Sequence, residues 1–287
     1  MCWFCLFALS IFAAPALAGA QPPWLTLPPA PTLGEPTQSG TAPVNGIKIW
    51  YAEFGQGPPV ILLHGGLANA SYWGNQVPVL AKSYRVIVMD SRGHGRSTRG
   101  ELPLSYDLMA SDVLALMDFL KIEKAALVGW SDGAITGLTI ALHYPGRITK
   151  LFAFAANSTP AGLKDTAQSP VFNAFIARAK EEYERLSPTP GNFQSLLDGV
   201  TQMWATEPNF TAEDLANIRV PVIIADGDHD EAIKREDTEF LARAIPGAGL
   251  LIEPNVSHFA LLQDPEGFNC GLTHFLARAE PQAPGNP

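Results

Sequence analysis

Between residue 46 and residue 279 the chain alternates short apolar runs with longer amphipathic ones. Apolar runs at 47–51, 60–63, 85–90, 125–129, 148–155, 220–225 and 249–253 are strand-length, and the one at 85–90 is β-branched and ends on Asp90. These runs predict strands. Met109, Val113, Leu116, Met117 and Leu120 follow an i, i+4, i+7, i+8, i+11 spacing, which predicts a helix with one buried stripe. Strands alternating with helices predict an α/β fold: a mainly parallel, doubly wound sheet covered on both faces.

The alternation stops between 157 and 219. SPVFNAFIARAKEEYERL, NFQSLLDGVTQMW and TAEDLANI read as three helices with no strand between them, the first two separated by Pro188 and Pro190. An all-helical insertion in such a chain predicts a cap over the strand ends. The expected core is therefore 46–156 with 220–279, and the cap is 157–219. Phe172, Phe175, Phe193, Met203, Trp204 and Phe210 supply the cap's own packing, with a minority expected to face a pocket.

The ends read differently. Residues 1–20 carry no charged side chain and finish in small residues matching an A-x-A cleavage signal, although no positive n-region precedes them. They are expected to be an export signal, which places the mature protein in the periplasm or outside the cell, with no stable membrane insertion after removal. Residues 21–45 are rich in Pro and polar residues, which predicts an extended linker, and the tail at 281–287 is similar. Losing Cys2 and Cys5 with the signal leaves Cys270 alone, so neither an internal disulfide nor a cysteine metal cluster is expected.

Composition narrows the function. Of 287 residues 47% are hydrophobic, enough for one large core, and the net charge is −9 with the basic residues scattered. Nucleic-acid binding needs a basic footprint and is not expected. Neither G-x-G-x-x-G nor G-x-x-x-x-G-K-[ST] occurs, which speaks against a nucleotide cofactor.

The chemistry centres on Gly129-Trp130-Ser131-Asp132-Gly133, a G-x-S-x-G placed after an apolar strand and before a helix. A strand-to-helix turn that tight exposes the serine on strained backbone, and flanking glycines relieve the crowding. Gly133, Gly137 and Ala141 give the following helix a smooth face for close packing on a sheet. A serine hydroxyl needs a base, and the base needs an orienting acid. Of six histidines, His258 follows a late strand in a polar loop with a helix to come, the position the chemistry requires. Asp226, Asp228, Asp230 and Glu231 all lie on the loop after the preceding strand, and spacing does not choose among them. Oxyanion donors are expected from the backbone N–H of Asp132 and from the loop His64-Gly65-Gly66, with Gly66 preferred and Leu67 the alternative.

Taken in order, His64-Gly65-Gly66, the Asp90–Ser97 turn, GWSDG at 129–133, Gly227-Asp228-His229-Asp230 and Ser257-His258 resemble the α/β-hydrolase family over about residues 46–279. The resemblance implies a fold of the α/β-hydrolase type with a helical cap. It selects Asp230 as the acid of a Ser131–Asp230–His258 triad and makes the Asp90–Ser97 turn structural, so that His94 has no catalytic role. Dehalogenases and epoxide hydrolases of this fold carry Asp at the nucleophile position, so Ser131 argues against both. GWSDGAITGL at 129–138, HYPGRITKLFAFAAN at 143–157 and the GDHD segment are similar to the valacyclovir-hydrolase (biphenyl-hydrolase-like) group. That likeness implies that the Asp132 carboxylate recognises a substrate amino group. Trp130, next to the nucleophile, is expected to contact substrate. The expected activity is cleavage of a small carboxylic ester through an acyl-enzyme, with no cofactor and no metal. An aminopeptidase or lactonase on the same triad is the first alternative, and a non-catalytic ligand-binding homologue the second.

Overall fold

Eight strands make one sheet in the order β1-β2-β4-β3-β5-β6-β7-β8 in a computed structural model that describes residues 21–278. The export-signal expectation for residues 1–20 and the reading of the tail at 281–287 lie outside the described residues. The chain enters through an antiparallel pair, β1 (Gln38–Val44) and β2 (Ile47–Phe54), followed by β3 (Pro59–Leu63), the one-turn helix α1 (Val77–Leu80) and β4 (Arg85–Met89). Helix α2 (Tyr106–Phe119), β5 (Ala125–Trp130), α3 (Asp132–His143) and β6 (Ile148–Phe154) come next. Three helices, α4 (Pro170–Leu186), α5 (Phe193–Thr206) and α6 (Ala212–Leu215), then precede β7 (Val222–Gly227). Helix α7 (Arg235–Ala244), β8 (Gly249–Glu253), α8 (Ala260–Gln263) and α9 (Pro265–Ala277) complete the described fold. Strands β3 to β8 are parallel to their neighbours, and β2 joins them antiparallel through β4.

Every residue of β5 is buried, which fits a central parallel strand that reads as a continuous apolar run rather than an alternating one. The strand is flanked by β3 and β6 and leads directly into α3. The glycines here answer to a close approach. A Cβ on Gly133 would strike the Leu63 and His64 carbonyls, and one on Gly129 would strike the backbone of Gly133 and Ala134. Helix α3 can therefore sit directly against the ends of β3 and β5.

Residues 21–45 depart from the linker expectation. Residues 38–44 form β1, with Ala42 and Val44 turned into the core. The apolar signal is only two residues long and is interrupted by Pro43, which an edge strand tolerates. The segment ahead of it is docked as a strap. Trp24 stacks on His229 with ring centroids 4.0 Å apart, and Leu27, Ala30 and Leu33 pack on the core. Its carbonyls are held from the body. Arg178 of α4 donates to Leu27 and Pro28 at 2.8 and 2.6 Å, and Gln263 donates to Thr26 at 2.8 Å. Proline-rich sequence without an apolar period gives no sign of such docking, because its hydrogen bonds are made by backbone acceptors.

The turn at residues 90–97 is built from buried charge. Asp90 accepts from the Ala70 and Arg96 amides, each at 2.7 Å, and from the Arg96 guanidinium at 3.0 Å. Arg92 forms a two-pronged ion pair with Asp112 of α2, with both contacts 2.6 Å and both side chains 1% exposed. His64 accepts the Ser91 amide at 3.0 Å, and His94 lies 2.9 Å from the Arg92 carbonyl. Burial lowers the pKa of His64 to about 4 and of His94 to about 3. Both are therefore neutral structural rings near neutral pH.

Candidate active site

The strand-to-helix turn places Ser131 at φ 56°, ψ −121°, a conformation that L-residues avoid. The strain is held by the backbone. The Ser131 amide donates to the Phe154 carbonyl of β6 at 2.8 Å, and its own carbonyl accepts from Ala134 and Ile135 at the start of α3. No side-chain cap bonds the Ser131 end of the helix, which leaves the hydroxyl for the cavity beside it.

His258 stands in the loop after β8 and Asp230 in the loop after β7, so adjacent parallel strands deliver them to the same edge of the sheet. His258 Nδ1 lies 2.7 Å from Asp230 Oδ2, and both residues are 3% exposed. The other Asp230 oxygen accepts the Ala232 and Ile233 amides at 2.6 and 2.7 Å. Of the four acids left open by spacing, the geometry joins Asp230 to the ring. Asp226 is tied to Thr238 at 2.7 Å, and Asp228 faces the Val256 amide at 3.3 Å. Glu231 accepts the backbone amide of His258 at 3.0 Å and so braces the loop rather than the ring.

Electrostatics follow from this packing. Burial by itself would depress the His258 imidazole. The Asp230 carboxylate against Nδ1, with Glu231 and Asp132 close by, reverses that and holds its pKa above the ordinary histidine value. Burial likewise opposes ionisation of Asp230, but the His258 charge and hydrogen bond, together with Asp226 and the Ile233 amide, win and hold its carboxyl below the usual range. Asp226 goes the other way. It is buried beside the Asp230 charge, and both effects raise it well above a normal carboxyl.

A cavity of about 70 Å³ is lined by Ser131, His258 and Asp132, with Asn157, Phe172 and Trp204 among its other walls. Phe172 and Trp204 are thus the two cap aromatics that reach it. Phe175 packs on Trp130 and Phe259, and Tyr183 packs on Phe193, inside the body of the protein. Asp132 is 2% exposed. Its Oδ1 accepts from the Tyr106 hydroxyl at 2.9 Å and the Trp204 indole at 2.8 Å, while the equally buried Oδ2 has no partner among the described residues. Burial raises the Asp132 pKa to about 6, against the opposing pull of Trp204, Tyr106 and the His258 charge. The carboxylate bonds no amide of α3 and is not a helix cap. Tyr106 escapes the sequence reading and Trp204 is read only as one of the cap aromatics; their contacts with Asp132 are hidden because they lie 26 and 72 residues from it on separate helices, and no local spacing links them.

Gly66 follows β3 beside the same carboxylate; a Cβ there would lie 2.5 Å from Asp132 Oδ2 and 2.6 Å from Trp204. Asp132 opens α3, and an amide in the first turn has no carbonyl four residues back within its helix. Trp130 is a correction. Rather than lining the cavity it lies 1% exposed beneath it, stacked near Tyr72, with its indole donating to the His258 carbonyl at 2.8 Å. As the last residue of a strand buried on both faces it points into packed side chains, where it supports the His258 loop. Among the described residues, no group of three or more His, Cys, Asp or Glu side chains is placed to hold a metal ion.

Comparison with known proteins agrees with this architecture. Residues 58–192 match the alpha/beta hydrolase fold family model. The RutD protein of Caulobacter sp. strain K31 is 30% identical over 274 residues, covering 84% of this chain and 98% of that protein. Serine hydrolase BPHL of Homo sapiens is 27% identical over 278 residues, covering 91% and 94% respectively. The crystal structure of an enol-lactonase from Burkholderia xenovorans LB400 superposes with a TM-score of 0.68 at 25% identity, over 83% of this chain and all of that one. With its elbow, its mostly parallel sheet and full-length relatives that are hydrolases, the chain belongs to the α/β-hydrolase family.

Proposed function

We propose that the protein is a serine hydrolase that cleaves a small carboxylic ester through an acyl-enzyme. The observation that carries the reading is the buried His258–Asp230 contact at 2.7 Å opening onto a cavity shared with Ser131 on its strained elbow. Ser131 Oγ attacks the acyl carbon while His258 Nε2 takes its proton. The Asp230 carboxylate accepts Nδ1–H, fixing the tautomer and stabilising the imidazolium. The N–H groups of Asp132 and Gly66 hold the oxyanion, each worth about 2.7–4 kcal/mol. The imidazolium then protonates the departing alkoxide. Water activated by the same His258 cleaves the acyl-enzyme, releasing the acid and restoring Ser131.

Within this reading, the unpartnered Oδ2 of Asp132 favours substrates with an amino group near the acyl carbon. A carboxylate that is buried, pinned through one oxygen and unpartnered at the other presents a fixed acceptor to a cation. Lactone opening is the second reading. It needs the same attack on an acyl carbon, and an enol-lactonase shares the fold.

The test is labelling with a fluorophosphonate probe together with hydrolysis of p-nitrophenyl esters, amino-acid esters and lactones. Ser131 should carry the label, and Ser131→Ala or His258→Ala should each remove nearly all turnover. The double variant should be little worse than either single one, because the pair acts as a unit. Wild-type turnover by Ser131→Ala would overturn the proposal.

A further inference from the structure

The cap meets the N-terminal strap across a second, larger cavity of about 530 Å³. Residues 29–33 form one wall, and Arg178, Glu182 and Arg185 of α4 form the other. Spaced i, i+4, i+7, these three share one helix face. Asn69, Ser71 and Arg96 close the floor, and none of the triad residues lines it. Ligand sites typically span about 300–1,000 Å³, so this cavity has the size for a small molecule.

Its charge stands out against a chain of net charge −9: three guanidinium groups converge on it with one carboxylate. Two of the three are held in place. Arg96 lies 4.1 Å over the Trp50 ring and 3.0 Å from Asp90, which offsets its charge. Arg178 is clamped by the Leu27 and Pro28 carbonyls, which are neutral and fix its position without cancelling its charge. Arg185 is exposed and makes no hydrogen bond or close ion pair among the described residues. Glu182 is buried, bonded to Asn69 at 2.8 Å, and burial disfavours its ionised form despite the neighbouring Arg178 and Arg185. Positive charge is therefore left over, on planar groups that pair two-pronged with carboxylate or phosphate oxygens.

We propose that this cavity is a binding site for a small organic anion bearing carboxylate or phosphate groups, separate from the acyl-transfer site. Arg178 provides the oriented donor face, Arg185 closes over the anion from the rim, and the Asn69–Ser71 floor supplies neutral polar groups. The site exists because the strap is docked, since residues 29–33 are one of its walls.

The experiment is isothermal titration of the whole protein with citrate and, separately, inorganic phosphate in low-salt buffer. It is run on the wild type, on Ser131→Ala and on Arg185→Glu. The expected result is saturable binding of one anion per chain that is unchanged in Ser131→Ala and weakened about tenfold or more in Arg185→Glu. Tighter citrate binding assigns the site to carboxylates, and tighter phosphate binding assigns it to phosphate esters. Arg185 is exposed, so the thermal midpoint of Arg185→Glu without ligand should match the wild type; Arg185→Gln serves as the milder variant if it does not. No saturable binding by about 10 mM of either anion, weaker than any specific site of interest, overturns the proposal. So does equal binding by wild type and the Arg185 variants, or loss of binding in Ser131→Ala, which would place the anion at the nucleophile.

Discussion

Replacing Asp132 by asparagine separates the charge of the cavity carboxylate from its shape. Asparagine keeps an Oδ1 that can accept from Tyr106 and Trp204 as the carboxylate does now, at 2.9 and 2.8 Å, and puts an amide NH2 where the unpartnered Oδ2 stands. The backbone N–H assigned to the oxyanion is untouched. A charge-assisted contact to a substrate ammonium is worth roughly 1.5–3 kcal/mol, so kcat/KM on amino-acid esters should fall about ten- to a hundredfold. Neutral esters of similar length should lose little. The pH dependence adds a second check. Burial places the Asp132 pKa at about 6, so the carboxylate is charged above that pH and increasingly neutral below it. The wild-type preference for amino esters over neutral ones should therefore grow as pH rises through about 6 and fall again as the substrate ammonium deprotonates near about 8, while Asp132→Asn should show no such rise. Steady-state kinetics on matched pairs, such as an alanine ester beside a propionate ester, measures both effects. An equal loss on the two substrate types would refute the amine-recognition argument and leave Asp132 as an organiser of Tyr106 and Trp204.

Three further outcomes follow from the packing. His258 must be neutral to accept the Ser131 proton, and Asp230 holds its pKa above the ordinary value, so the acid limb of kcat/KM should have its midpoint above about 6.5; a rate flat down to about pH 4 would exclude a histidine base. Glu253, 6% exposed, has its pKa raised to about 8 by burial and by Asp264, so the folded state binds a proton that the unfolded chain releases near 4.3. Stability is therefore lost as pH rises from about 4.3 to about 8, by up to about 5 kcal/mol, and Glu253→Gln should raise the thermal midpoint at about pH 8 more than at about pH 5. An equal shift at both would contradict the burial argument. Asp112→Ala strands Arg92, itself 1% exposed, and should cost about 3–5 kcal/mol by urea unfolding; a loss below about 1 kcal/mol would mean the pair adds little to the turn.

Local pattern alone determined much of this protein. Strands β2 to β7 are largely buried on the sheet and read directly as apolar runs, the edge strand β8 reads as one although it is only partly buried, and the stripe from Met109 to Met117 falls on α2 because one face of that helix meets the core. The elbow was legible as well, since the tight turn between β5 and α3 demands glycines within two residues of Ser131, where a side chain would strike the neighbouring backbone. Contacts between distant segments were not legible. Asp226, Asp228, Asp230 and Glu231 share one loop and spacing leaves all four open; the family resemblance selects Asp230, and the fold shows how it meets the His258 ring. Trp130 adjoins the nucleophile in sequence, yet strand geometry sends it beneath the cavity, while Tyr106 and Trp204 arrive at Asp132 from two other helices. The strap at residues 22–33 and strand β1 were hidden for a related reason: they are secured mainly through backbone carbonyls and sheet pairing, which side-chain periodicity does not record. Sequence pattern reports which face of an element is buried; which residues meet there is set by how the elements are packed.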